Sequence, residues 1–117
     1  MARDDSLLLD ILLAARTIVR YTASLDSKAD FADNQMLQDA VMRQIQIIGE
    51  AASQISPATR EAHPKVPWRA MAGMRHRLVH DYGRIDVSRI WETARRSVPD
   101  LITLIEPVVP PPAEDEA

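Results

Sequence analysis

Residues 34–55 read NQMLQDAVMRQIQIIGEAASQI, and their spacing decides the fold class. Leu37, Val41, Ile45, Ile48, Ala52 and Ile55 recur at intervals of three, four and seven, the repeat of one helix face. Polar residues fill most of the positions between them. The stretch predicts a helix from about Asn34 to Ile55. Ser56-Pro57 ends it, because the residue before a proline is pushed out of the helical region. Gly49 sits within the stripe at a cost of roughly 1 kcal/mol relative to alanine. A glycine there permits close approach of another backbone.

The same repeat continues on both sides. Leu7, Ile11, Ala14, Ile18 and Tyr21 form one stripe of a helix predicted from about Ser6 to Ser24, with Asp4, Asp5 and Ser6 as capping candidates. Leu9 and Leu13 fall on its far side beside Arg16 and Arg20. A helix with two apolar faces packs against two things, and in a small domain the second suits another subunit. Ser27 to Asp33 reads as a turn or a short helical piece. Pro57 to Ala62 suits a short helical turn, and Pro64 to Val66 a connector. Pro67 suits the first position of a helix reaching about His80, with Gly83 as its stop. Asp86 or Ser88 caps a last long helix with Val87, Trp91, Ala94, Val98, Leu101 and Ile105 as its buried stripe. Pro99 interrupts that helix and predicts a kink near Arg95. No alternating β-branched run appears. The chain therefore reads as all-α, an up-and-down bundle of four to five helices over residues 1–106. Residues 107–117, proline-rich and then acidic, read as a disordered tail.

A chain of 117 residues fits one domain with a modest core. The absence of cysteine excludes disulfides, thiolate metal sites and thiol nucleophiles. The first residues lack the basic region and long apolar run of a secretion signal. The apolar stretch Leu7–Ala15 is broken by Asp10 and is too short to span a bilayer. The chain reads as soluble and cytoplasmic, with no membrane partner. The net charge of −3 argues against general coating of nucleic acid. The distribution differs from the total: from Arg60 to Arg96 there are nine basic residues against four acids. Such a segment serves a polyanion locally or forms a solvated helix surface, and charge alone favours the second.

Residues 67–84, PWRAMAGMRHRLVHDYGR, break the core pattern. On a continuous helix, Met71, Met74 and Leu78 mark the inner face and Arg75 falls between them. A core-facing arginine needs a partner or an opening onto a cleft, or snorkels to the surface. His76 and His80, four apart, share another face. Arg75 and His80 stand about 140° apart on that wheel. Convergence then requires a reaching arginine, a helix loosened near His80, or a site shared between two chains. The two histidines would bind zinc only with a third ligand, His63 or Asp81, and no H-E-x-x-H pattern is present. No metal or cofactor is expected.

The stretch Arg75-His76-Arg77-Leu78-Val79-His80-Asp81-Tyr82 resembles the R-x4-H-x-Y signature of the HepT-like branch of the HEPN family. The second position there is commonly asparagine, and His76 keeps only its polarity. Ile47-Ile48-Gly49-Glu50-Ala51, Pro67-Trp68-Arg69, and Asp86 to Leu101 with Trp91 and Pro99 resemble the flanks, so that most of residues 6–105 follow the family in order. The resemblance implies a helical homodimer whose signature residues meet between protomers. It implies a metal-independent endoribonuclease toxin, silenced by a cognate MNT-type nucleotidyltransferase antitoxin that attaches AMP to Tyr82, with room for a higher assembly of the two. Arg75 and His80 would then be catalytic and His76 auxiliary, with Arg69, Arg77 and Arg84 attracting RNA phosphate. The residue types suit that chemistry: an imidazole exchanges protons near neutral pH, and a guanidinium binds two phosphate oxygens. The alternatives are a non-catalytic helical module that dimerises or binds a nucleotidyltransferase, and a nucleotide-binding domain. Glu50 falls opposite the Leu37–Ile55 stripe, where serving a dimer or orienting an arginine are both open.

Overall fold

The computed structural model describes residues 2–79 and 83–111. Its framework is α1 (Ala2–Thr22) laid along α3 (Gln35–Gln54), with α8 (Val98–Ile105) packed on the same helix α1. The stripes read from sequence supply the core. Ile11 and Ile18 of α1 meet Val41, Ile45 and Ile48 of α3, and all are fully buried together with Met71, Ile90, Val98 and Ile105. The result is an all-α up-and-down bundle. Among the described residues the only β pairing is an isolated antiparallel bridge between Val79 and Ile85.

Side chains set the helix starts. Asn34 accepts from the Leu37 amide at 3.0 Å and opens α3. Ser27 opens α2 (Lys28–Ala32), whose Phe31 packs on Trp91 with ring centroids 5.5 Å apart. Gln38, buried in α3, donates to the carbonyls of Phe31 and Ala32 at 2.8 and 3.0 Å, tying α2 to the bundle without an orphaned amide. Ser56 caps α4 (Pro57–Ala62), the short turn expected there.

Four features depart from the sequence reading. First, α1 starts at Ala2, four residues before Ser6, and Asp4 is not its cap. The Asp4 carboxylate is buried and accepts from the Ser56 hydroxyl at 2.6 Å, from the Ser56 amide at 3.2 Å and from the Thr59 hydroxyl. It fastens the start of α1 to the α3–α4 turn. Second, the helix expected from Pro67 to His80 is two short helices, α5 (Trp68–Ala72) and α6 (Met74–Arg77), broken at Gly73, whose φ of −97° and ψ of 5° leave the helical region. Third, α6 ends before Gly83, so that glycine is not its stop. Gly83, at φ +82°, turns the chain back toward the Val79–Ile85 bridge. Fourth, the interruption at Pro99 takes the form of a π-helical turn, Thr93–Ser97, between α7 (Val87–Glu92) and α8. Proline has no N–H and its ring clashes with the carbonyl four residues back. The Val98 amide instead reaches the Thr93 carbonyl, five residues back.

Beyond α8, Val108 and Val109 pack against the core and donate to the Ile105 carbonyl at 2.9 and 3.2 Å. The rest of the expected tail, residues 112–117, lies outside the described residues. Leu9 and Leu13 are exposed on α1, at 44% and 50%. No helix among the described residues is long and apolar enough to cross a membrane.

Candidate functional site

The site begins where α3 and α5 touch. An ideal Cβ on Gly49 would stand 3.3 Å from the Met71 carbonyl oxygen and 3.4 Å from that of Ala72. The close approach expected of this glycine is therefore made by α5. Trp68 fixes the other end of α5. Its ring is buried and its indole N–H donates to the His63 carbonyl at 3.0 Å.

The structure corrects the placement of Arg75 on the inner face. Met74 and Leu78 point inward and are buried, whereas Arg75, His76 and Arg77 are exposed. Arg75 is exposed in a cleft lined by Gln46, Gly49 and Glu50 of α3, and by Ala72, Arg75 and His76. Glu50 thus faces the same cleft as the arginine and the histidine, and Gln46 donates to its Oε1 at 3.1 Å. Of the two roles open to Glu50 in the sequence, serving a dimer or orienting an arginine, the shared cleft suits the second. The signal that pointed to it was the neighbouring Gly49, whose close approach brings α5 and α6 to this part of α3.

Arg69 and Arg77 line a second cleft with Arg60, and Arg77 is held there by donating its Nη2 to the Ala70 carbonyl at 3.0 Å. Arg84 is exposed and lines neither cleft. The structure therefore brings Arg75 and His76 together, and Arg69 and Arg77 together, on different sides of α6. His80 and Tyr82 lie outside the described residues, as does Asp81. The flanks of that segment are fixed by the Val79–Ile85 bridge and by the Asp86 amide, which donates to the Leu78 carbonyl at 2.8 Å. Because α6 ends at Arg77, the 140° relation of a continuous helix between Arg75 and His80 no longer applies. Among the described residues, no three His, Asp or Glu side chains gather as a metal site.

An exposed guanidinium and an imidazole in one cleft can bind a phosphate and exchange a proton beside it. The family model for ribonuclease HepT-like proteins matches residues 11–108, which include both clefts and the whole signature. The chain belongs to the HepT-like family. Among HepT-like and RNase-named relatives, a protein of Methanocaldococcus jannaschii named "Putative RNase MJ0125" is 34% identical over 102 residues, covering 87% of each chain. A second from that organism, "Putative RNase MJ1380", is 37% identical over 99 residues, 85% of this chain and 90% of its own. "Probable ribonuclease HepT" of Thermococcus cleftensis is 38% identical over 92 residues, 79% of this chain and 83% of its own. No solved structure matches the chain.

Proposed function

We propose that this HepT-like chain is an endoribonuclease toxin that cuts RNA through the RNA's own 2′-OH, without a metal. The observation that carries the reading is Arg75, exposed in an open cleft beside His76 and Glu50. The names of its relatives supply the substrate class.

In the proposed reaction the 2′-oxygen attacks the adjacent phosphorus and the bond to the 5′-oxygen breaks. One proton leaves the hydroxyl and one reaches the departing oxygen. His80 is the acid/base group, since imidazole carries either proton near neutral pH, and His76 is auxiliary. Charge grows on the non-bridging oxygens, and the Arg75 guanidinium takes two of them at once. Arg69, Arg77 and Arg84 attract the flanking phosphates. Two protomers together supply the complete cleft. A cognate MNT-type nucleotidyltransferase acts as antitoxin by attaching AMP to Tyr82. Bulk and negative charge two residues from His80 then repel the RNA.

The test is cleavage of a labelled RNA panel in EDTA by the purified chain, with Arg75→Ala and His80→Ala beside it and intact mass recorded for each. Cleavage by the wild type, lost in both variants, is the expected result. A folded wild type of unmodified mass that leaves every RNA intact overturns the nuclease reading in favour of a helical module that binds a nucleotidyltransferase. Added AMP mass identifies the silenced form.

A further inference from the structure

The cleft of Arg60, Arg69 and Arg77 does not stand alone. Arg77 also lines a second cleft, with Arg89 of α7 and Arg96 of the π-helical turn. Arg96 in turn lines a third, with Lys28 and Arg95. Each cleft shares a residue with the next, so the three form one continuous band. Five helices and the π-turn contribute cations to it, and among the described residues the one carboxylate that lines it is Glu92. On an acidic chain, this is a concentration of one sign in concave surface, where the field is focused rather than dispersed.

The cations divide by what holds them. Arg60 donates to the carbonyls of Ile55 and Ala52, and Arg95 donates to that of Thr22 while lying 5.0 Å over the Trp91 ring. Those two serve the fold. Arg89 and Arg96 do not: their side chains are 66% and 80% exposed, and each has one loose carboxylate neighbour, Asp86 at 3.5 Å and Glu92 at 3.9 Å. Exposed pairs of this kind contribute little and yield readily to a phosphate. Arg77, pinned through one of five donors, keeps the others for a ligand.

We infer that Arg89 and Arg96, continuing from Arg77 along the π-helical turn, form a track for the phosphates of an RNA strand, and that the protein selects long strands over short oligonucleotides. The inference rests on the ribonuclease reading for its ligand and extends the contact well past the cut. The π-turn builds the track. Next to Pro99 the helix takes this wide turn, on which Arg95 lies over the Trp91 ring and Arg96 lines an open cleft with Arg89. Arg89 and Arg96, seven apart on one helical run, line one cleft with Arg77 of α6.

The experiment compares the wild type with Arg89→Gln, Arg96→Gln and the double variant, whose folding is checked by thermal melting. Binding is measured with a labelled, fully 2′-O-methylated RNA of about 20 nucleotides, which cannot be cut through its 2′-OH, across a salt series. Cleavage is measured on an unmodified RNA of the same length and on a tetranucleotide. The double variant is expected to bind roughly tenfold more weakly and to lower the slope of log K against log salt by about 1.4, for two phosphates lost. Its KM rises for the long RNA while kcat and all cleavage of the tetranucleotide stay unchanged. Unchanged affinity and slope overturn the track and leave the nuclease reading standing. Binding with the expected slope change, by a wild type that cuts no RNA, retains the track and removes the nuclease reading.

Discussion

Arg75 and Arg77 are two residues apart on α6 and face different clefts, and the difference divides their chemistry. Arg75 shares its cleft with His76 and Glu50, where opposite charge and a proton carrier stand together. Arg77 shares its cleft with other arginines. In the proposed reaction, Arg75 must meet two phosphate oxygens at once, which the compact ammonium of lysine does not do. Arg75→Lys is therefore expected to lower kcat roughly 10²-fold with an unchanged melting temperature. Arg77→Lys should leave kcat within about twofold and act on KM. Equal losses of kcat in the two would contradict the assignment. Asp4 makes a separate residue-scale case. The hydroxyls of Ser56 and then Thr59 bond to its carboxylate and hold its pKa below the ordinary 3.8. A lowered carboxyl pKa in the fold adds stability above the unfolded value, and that stability is lost as pH falls through the folded value. Asp4→Asn should then lower the melting temperature at pH 7, and the gap to wild type should begin to narrow as pH falls below 3.8 and close only below the folded value. A gap that stays constant as pH falls through that range would show that the carboxylate's charge is not what matters.

At the scale of the element, the contact between α3 and α5 carries the geometry of the site. Glycine at position 49 lets the carbonyls of Met71 and Ala72 come within 3.3 and 3.4 Å of where a Cβ would be. The atoms in the way are backbone, which cannot rotate aside. Gly49→Val should cost about 2–3 kcal/mol by overpacking. Because it pushes on α5, it should also displace Arg75, so that activity falls further than the lost stability accounts for. Chemical denaturation beside kinetics on the folded fraction separates the two effects; activity tracking folded fraction alone would show that α5 gives way without moving α6. This contact also shows what the sequence could tell. The α3 stripe, its Asn34 start and the need for a close neighbour at Gly49 were legible, because each follows from local spacing and local sterics. The break at Gly73 was not. A glycine inside an apolar repeat tolerates a continuous helix as well as a broken one, and tertiary fixing of α5 by Trp68 and Gly49 decides between them. The exposure of Arg75 and its meeting with Glu50 were equally hidden, because both depend on how α5 and α6 pack against α3. Pro99 gave the place of the disturbance in the last helix. Its form, a π-turn that keeps the helix running, depends on how α7 and α8 are both held against the core.

At the scale of the molecule, a single copy leaves the site open. Arg75 and His76 are exposed, and so are Leu9 and Leu13 on the outer face of α1. A reaction that builds charge on a phosphate gains from excluding water, because each charge interaction strengthens in a drier cleft. A second copy closing over the motif would supply that cover, and in the proposed dimer each cleft takes Arg75 from one protomer and His80 from the other. Mixing the two inactive variants tests this directly. When Arg75→Ala and His80→Ala chains are refolded together in equal amounts, half of the dimers are mixed, and each mixed dimer holds one cleft with both groups intact. The expected recovery is about a quarter of wild-type activity, from two inactive parents. Sedimentation of the mixture confirms that dimers have formed. Dimers with no recovery would mean that each protomer completes its own site or that the cleft needs all four groups. The two cases part on a dimer of one wild-type and one doubly substituted chain, which keeps one working site in the first case and none in the second.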